Sequence, residues 1–228
     1  MNILIACEES QEITKRFRQK GARCFSCDIL ACSGGHPEWH IQDDCLPLLN
    51  GNCYFNTADG KAHFVDKWDL LIAHPPCTYL SIAGNKYFNV DVYGEKAKKR
   101  ILERERAVEF FMQFTKSNCE HIAIENPVGF MNTRYRKPDQ ICQPWWFGSP
   151  NRKPLCLWLK NLPKLLKTNP VDPIVIENKT GNNSGSSPWH ALTFGLPEAE
   201  RRRIRSKTFP EVAEAIVNQW YDYLIKEK

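Results

Sequence analysis

The chain has 228 residues, a hydrophobic fraction of 42%, a charged fraction of 25% and a net charge of +5. That length suits one α/β domain with room for a small appended piece, and that balance is the composition of a globular protein, neither fibrous nor disordered. No apolar run approaches the roughly 20 residues a bilayer-spanning helix needs, so no membrane partner is expected. The first residues, Met1-Asn2-Ile3-Leu4-Ile5, lack the basic region and cleavage site of a secretory signal and read as a first strand. Ten cysteines without a secretory signal read as reduced thiols in a cytoplasmic setting, and Cys7, Cys24, Cys27 and Cys156 lie in apolar stretches that suit a small buried side chain.

The predicted elements alternate strand and helix. Residues 3–7 form a short apolar strand. Residues 10–20 carry helical spacing through Ile13 and Phe17 and stop at Gly21, a glycine C-cap. Residues 22–30 hold a second strand with Asp28 near its end. Residues 41–49 begin acidic and turn apolar, and residues 68–73 form a strong buried strand. Residues 98–116 are the longest helix, with Ile101, Val108, Phe111, Met112 and Phe114 on its apolar side. Strands follow at 121–124 and 155–159. This alternation predicts a mostly parallel sheet with helices on both faces.

Past Leu162 the texture changes. Residues 163–190 contain Pro163, Pro170, Pro173 and Pro188 and a polar run over 178–187, which predicts a mobile loop. A last helix spans 210–226, with Val212, Ile216, Trp220 and Leu224 on one face. The expected organisation is therefore a catalytic domain over 1–162, a short variable region over 163–200, and a C-terminal segment over 201–228 that packs back on the first.

In parallel sheets ligands bind at the carboxyl ends of the strands. Cys7-Glu8-Glu9-Ser10, Asp28, Asp44, Pro75-Pro76-Cys77 and Glu125-Asn126-Pro127 all fall at predicted strand ends, so they should line one edge. A cysteine after two prolines is rigidly held and donor-poor on the main chain, which suits a nucleophile or, equally, a tight turn. A carboxylate at a strand tip is a salt-bridge partner, a helix cap or a proton donor. Together the pair supplies what attack on a pyrimidine needs: a thiolate for carbon 6 and an acid for ring nitrogen 3. Burial would raise the pKa of Glu125 toward that role.

Other signals have simpler readings. Cys24, Cys27 and Cys32 with His36 and His40 resemble a zinc spacing, but a spacing of three in a strand puts Cys24 and Cys27 on opposite faces, and no metal is expected. The basic runs at 96–100 and 201–205 read as solvated helix faces or as phosphate contacts. Trp39 could cover a ligand or pack. Trp145 and Trp146 could stack on a base or fill the core, and Tyr79 and Ser81 could line a base pocket or shape a turn.

Three segments, in order, resemble motifs of the DNA cytosine-5 methyltransferases. Ala73-His74-Pro75-Pro76-Cys77 is similar to their proline-cysteine loop, Ile124-Glu125-Asn126-Pro127 to their glutamate-asparagine-valine motif, and Phe147-Gly148-Ser149-Pro150-Asn151-Arg152-Lys153-Pro154 to part of their arginine-bearing segment. The resemblance covers about residues 1–160, with a weaker echo over 205–220. It marks the chain as similar to a short member of phage or bacterial type with a reduced target-recognition region.

That resemblance implies a Rossmann-like, S-adenosylmethionine-dependent methyltransferase fold and methylation of cytosine carbon 5 in DNA. It implies Cys77, Glu125 and Arg152 as catalytic residues. The cofactor would be held by Ala6, Cys7, Glu8, Glu9, Ser10, Asp28, Ile29, Asp44, Cys45, His74 and Pro75. The base would be held by Pro76, Thr78, Tyr79, Asn126 and Pro127, after being flipped from a duplex. The first loop departs from the family in having no glycine. The interval after Arg152 is short for target recognition. RNA, a free nucleotide, or a catalytically inactive nucleic-acid-binding protein of the same fold are therefore the alternative expectations. The oligomeric expectation is a monomer.

Overall fold

The computed structural model describes residues 1–176 and 185–227. Nine strands are seen among them: β1 (Asn2–Ala6), β2 (Arg23–Cys27), β3 (His40–Ile41), β4 (Cys53–Asn56), β5 (Ala62–Val65), β6 (Leu70–Ala73), β7 (His121–Pro127), β8 (Gln140–Cys142) and β9 (Leu155–Lys160). The helices are α1 (Glu12–Gln19), α2 (Val90–Tyr93), α3 (Glu95–Thr115), α4 (Met131–Arg134), α5 (Pro188–Ala191), α6 (Glu198–Ser206) and α7 (Pro210–Lys226).

Seven strands form one sheet in the order β3-β2-β1-β6-β7-β9-β8, and β4 and β5 form a separate antiparallel hairpin. The first five strands of that order are parallel to one another, while β9 runs against both β7 and β8. The chain winds outward from β1 to β3 and then returns to the other side of β1 as β6. The order therefore reverses between β1 and β6, the place where open parallel sheets bind ligands at their carboxyl ends.

Alternation along β1 sends its side chains to two cores. Leu4 and Ala6 join Leu71, Ile122 and Ile124 under Val108, Phe111 and Phe114 of α3. Ile3 and Ile5 join Leu70 and Ile72 under Ile13 and Phe17 of α1 and Val212, Ile216, Trp220 and Leu224 of α7. Helices thus cover both faces, which is why these central strands read as unbroken apolar runs. Cys24 goes to one core and Cys27 to the other, as strand alternation requires.

Several expectations shift. The long helix starts at Glu95, before residue 98, and Ile101 is 41% exposed: Ala97 holds the buried position at that end. The antiparallel β9 closes the far side of what the alternation alone predicts as parallel. Helix α1 ends as foreseen. Gly21 takes φ 85°, and the bonds Gly21 N to Arg18 O (2.9 Å) and Ala22 N to Phe17 O (3.0 Å) complete a Schellman cap. Of the loop expected over 178–187, residues 178–184 lie outside the described residues. Leu165 is buried in the core beneath α7, so the segment after β9 begins by packing on the domain. Among the described residues no helix is long and apolar enough to cross a membrane.

Candidate active site

The register of β6 against β7 pairs Ala73 with Ile124, so the next residues, His74 and Glu125, stand side by side at the carboxyl edge. His74 Nδ1 and Glu125 Oε2 are 3.3 Å apart. One residue further, the Asn126 side-chain amide donates to the carbonyl of Pro75 at 2.7 Å. The lacing continues past the catalytic candidates: Ile82 N donates to Val128 O (3.1 Å) and Phe130 N to Leu80 O (2.7 Å). Gly129 sits inside this contact. A Cβ there would fall 2.0 Å from the Leu80 carbonyl oxygen, so only glycine admits the approach.

These bonds hold the Cys77 loop against the Glu125 strand tip. The turn after Cys77 closes with Leu80 N and Ser81 N both donating to the Cys77 carbonyl (3.0 and 2.9 Å). Helix α3 braces it from outside: Arg100 donates to Thr78 O and Arg104 to Tyr79 O, each at 3.0 Å, and the Arg100 guanidinium lies 5.0 Å from the Tyr79 ring centre. Part of the basic run at 96–100 is thus spent on structure, and Lys98 pairs with Glu95 at 2.7 Å.

Cys77 is exposed as a residue, as are Pro76 and Thr78. Its thiol nonetheless sits among protein groups, and this desolvation raises its pKa. The nearby Glu125 carboxylate raises it further, and the Lys153 ammonium opposes both. A negative charge beside a nucleophile suppresses it. Protonating Glu125 releases it.

Lys153 is the cation that sequence reasoning missed. It lines a cavity of about 20 Å³ with His74, Glu125, Cys142, Leu155 and Phe209. Its ammonium donates to the Arg205 carbonyl at 2.9 Å and lies 5.7 Å from the Phe209 ring centre. Arg152, the residue predicted by resemblance, is exposed, and its guanidinium is held by the Gly185 carbonyl at 2.7 Å. It does not line that cavity. Alternation just before β9 decides which of two adjacent cations faces Glu125.

At the tip of β1, the first loop makes its turn without glycine because Cys7 takes φ 60°. Cys7 N and Glu8 N both donate to Cys27 O (2.7 and 3.3 Å). The Cys7 thiol hydrogen-bonds that of Cys45, and this bond, then burial, raises its pKa well above the usual thiol value. Ala6 and Ser10 are buried around this turn.

The adjacent acids have separate fates. Glu8 caps α1: it accepts from Ile13 N (2.6 Å), Thr14 N (3.2 Å) and Thr14 Oγ1 (2.7 Å). Gln11, at the N-cap position, makes no side-chain cap bond, and Glu8 takes that work. Glu9 is buried, yet neither of its carboxylate oxygens has a hydrogen-bond partner among the described residues. Asp28 follows the tip of β2, its pKa raised first by burial and also by Glu9. The exposed Ile29 and Leu30 follow it. Asp44 folds back on Leu46 N (3.0 Å) and is exposed. Trp39 stacks on His36, with ring centres 3.8 Å apart, and Arg18 lies over it.

An orphaned buried carboxylate beside a second one, flanked by exposed apolar side chains, suits a ligand with a cationic end, hydroxyls and a flat ring. Glu9 and Asp28 supply the acceptors and Ile29 the apolar surface, while Glu8 and His74 are bonded within the protein. Phe147 is buried beneath α7 with Cys142, so the aromatic run before Arg152 packs the core at that residue. Among the described residues no cluster of His, Cys, Asp or Glu side chains is placed to hold a metal ion. No known family model matches the chain, and no curated protein matches it.

Proposed function

We propose that the chain is an S-adenosylmethionine-dependent methyltransferase acting on carbon 5 of cytosine in DNA, built on a Rossmann-like sheet. The observation that carries this reading is the locking of the Cys77 loop to the Glu125 tip through the β6–β7 register, the His74–Glu125 contact and the Asn126–Pro75 bond. The switch of strand order next to β1, with Glu9 and Asp28 at neighbouring tips, supports a cofactor beside that pair.

The cofactor, held by Glu9, Asp28 and Ile29, would supply an electrophilic methyl group on a sulfonium. The chain's own residues do the rest. The Cys77 thiolate forms a bond to carbon 6, and the displaced π pair moves toward the carbon 4–carbon 5 bond. The carbon 4–nitrogen 3 π pair takes the proton of Glu125. Carbon 5 becomes enamine-like and nucleophilic. Lys153 offsets the charge on Glu125 once its proton has left. After transfer, the carbon 5 proton passes to solvent water, its C–H electron pair re-forms the carbon 5–carbon 6 double bond, Cys77 departs with its electron pair, and the nitrogen 3 proton returns to Glu125.

A second reading keeps this chemistry on RNA or a free pyrimidine nucleotide. It is favoured by the short interval between β9 and α6, residues 161–197, which is little chain for reading a duplex. The deciding experiment incubates DNA, RNA and nucleotides with methyl-labelled cofactor and follows the nucleosides by mass spectrometry. 5-Methylcytosine from DNA is expected. Its absence, with label in RNA or nucleotide, selects the second reading, and no label anywhere overturns both.

A further inference from the structure

His74 is the first residue after β6 and faces Glu125 at the same level of the sheet. Its backbone N–H donates to Ala6 O at 3.0 Å, which fixes its Cα at the carboxyl edge of the sheet. The side chains of His74 and Glu125 are only 14% and 20% exposed, so their contact is shielded from bulk water. His74 Nε2 is buried and has no hydrogen-bond partner, which leaves the contact to Glu125 as the ring's one hydrogen bond among the described residues. A carboxylate oxygen accepts, so Nδ1 carries the proton toward Oε2. Glu125 Oε1 makes no hydrogen bond to any described residue.

We propose that His74 is the positioning residue of Glu125. By holding Oε2 through Nδ1–H, it leaves Oε1 as the oxygen that exchanges a proton with the pyrimidine. The proposal rests on the reading of the site given above and goes further in assigning the two carboxyl oxygens different tasks. As the sulfur–carbon 6 bond forms, the proton on Oε1 passes to ring nitrogen 3. The electron pair of the broken O–H bond stays on Glu125, and the Nδ1–H bond to Oε2 strengthens as the carboxylate becomes anionic. On elimination the nitrogen 3 proton returns to Oε1. This exchange between Oε1 and nitrogen 3 closes on itself; the methyl group comes from the cofactor, and the carbon 5 proton leaves to solvent.

Two measurements on the full chain test this. In the first, methyl transfer to a cytosine-containing oligonucleotide is compared for wild type, His74→Ala, His74→Asn, Glu125→Gln and His74→Ala/Glu125→Gln. Asparagine places an amide N–H near the position of Nδ1. His74→Ala is expected to lower kcat by about 10²-fold with KM unchanged, and His74→Asn to recover most of it. In the double variant His74→Ala should cost nothing beyond Glu125→Gln, because its effect passes through Glu125. An equal loss in both backgrounds, or a change confined to KM, overturns the proposal.

The second measurement needs no turnover. The ¹⁵N shifts of the His74 ring should show Nδ1 protonated in wild type and a change of tautomer in Glu125→Ala. Identical ring shifts in both proteins overturn the pairing even if methyl transfer occurs. A protein with the Nδ1–H signature but no methyl transfer overturns the reaction and the role of His74 in it, while leaving the pair in place.

Discussion

Asn126 donates its side-chain amide to the carbonyl of Pro75 at 2.7 Å, and this bond ties the strand that carries Glu125 to the loop that carries Cys77. Proline has no N–H, so Pro75 and Pro76 offer a neighbour only carbonyls, and an amide donor is the fitting partner. Asn126 is buried, and its own Oδ1 has no partner among the described residues, so the residue is held for what its amide nitrogen does. Asn126→Ala leaves a buried carbonyl unpaired and should cost about 1–3 kcal/mol. Asn126→Asp should cost more, since it sets a carboxylate against that carbonyl. Urea denaturation midpoints check this; a midpoint unchanged in both variants would remove the bond from the account of the loop.

The reactivity of Cys77 gives a second prediction. Burial raises its pKa first, the Glu125 carboxylate adds to the rise, and the Lys153 ammonium opposes it. Removing the negative neighbour must lower the thiol pKa and removing the positive one must raise it. At a pH below the thiol pKa, iodoacetamide should therefore modify Cys77 faster in Glu125→Gln and more slowly in Lys153→Ala than in wild type. Arg152→Ala should leave the rate unchanged, because Arg152 is exposed and engaged with Gly185. Peptide mass spectrometry over a pH series reads all three. A slower Cys77 in Arg152→Ala with no change in Lys153→Ala would return the cationic role to Arg152.

What could be read from the sequence follows from which forces are local. The central strands and α7 announce themselves because one-sided or two-sided burial writes a period into the chain: Val212, Ile216, Trp220 and Leu224 are all buried where spacing puts them. The β4–β5 hairpin went unread although Asp59-Gly60 marks its turn, because its exposed Tyr54 and Phe64 break the polar-out alternation that announces a short strand pair. Helix α6 carries Ile204 as its one large apolar side chain and so writes no period at all. At the site, residue types were legible and their partners were not. Glu8 and Glu9 are neighbours of one kind; only the left-handed turn at Cys7 and the start of α1 decide that Glu8 caps a helix and Glu9 is left without a partner. Arg152 and Lys153 are separated in the same way by the alternation leading into β9.

The cap on α1 gives a third prediction. Burial raises the Glu8 pKa from the ordinary 4.5, with the Thr14 hydroxyl, the Ile13 and Thr14 amides and His74 opposing. The folded protein thus binds this proton more tightly than the unfolded chain. The Glu8 contribution is most favourable below pH 4.5 and is lost as pH rises through the folded pKa. Glu8→Gln should flatten stability against pH in that window and leave the slope elsewhere as in wild type. Glu8→Ala, which strips acceptors from the first turn of α1, should cost about 2 kcal/mol at neutral pH. Thermal or urea unfolding from pH 4 to 8 measures both, and an unaltered slope in Glu8→Gln would mean that Glu8 does not carry this linkage.

Glu9 separates a ligand role from a structural one. A buried carboxylate without hydrogen-bond partners destabilises the free protein, since nothing offsets its lost hydration. Glu9→Gln should therefore leave the folded protein as stable as wild type or more so, in contrast to Glu8→Ala. If Glu9 receives the cationic end of the cofactor, the same substitution should weaken S-adenosylmethionine binding by about 10–100-fold, the scale of one lost charge-assisted bond. Asp28→Asn should weaken binding as well, and less, because an amide still pairs with ribose hydroxyls. Isothermal titration calorimetry on the full chain provides the affinities, and unfolding curves on the same samples provide the stabilities. Gain of stability with loss of affinity identifies Glu9 as a residue kept for its ligand. Loss of stability with affinity unchanged would place its partner within the protein.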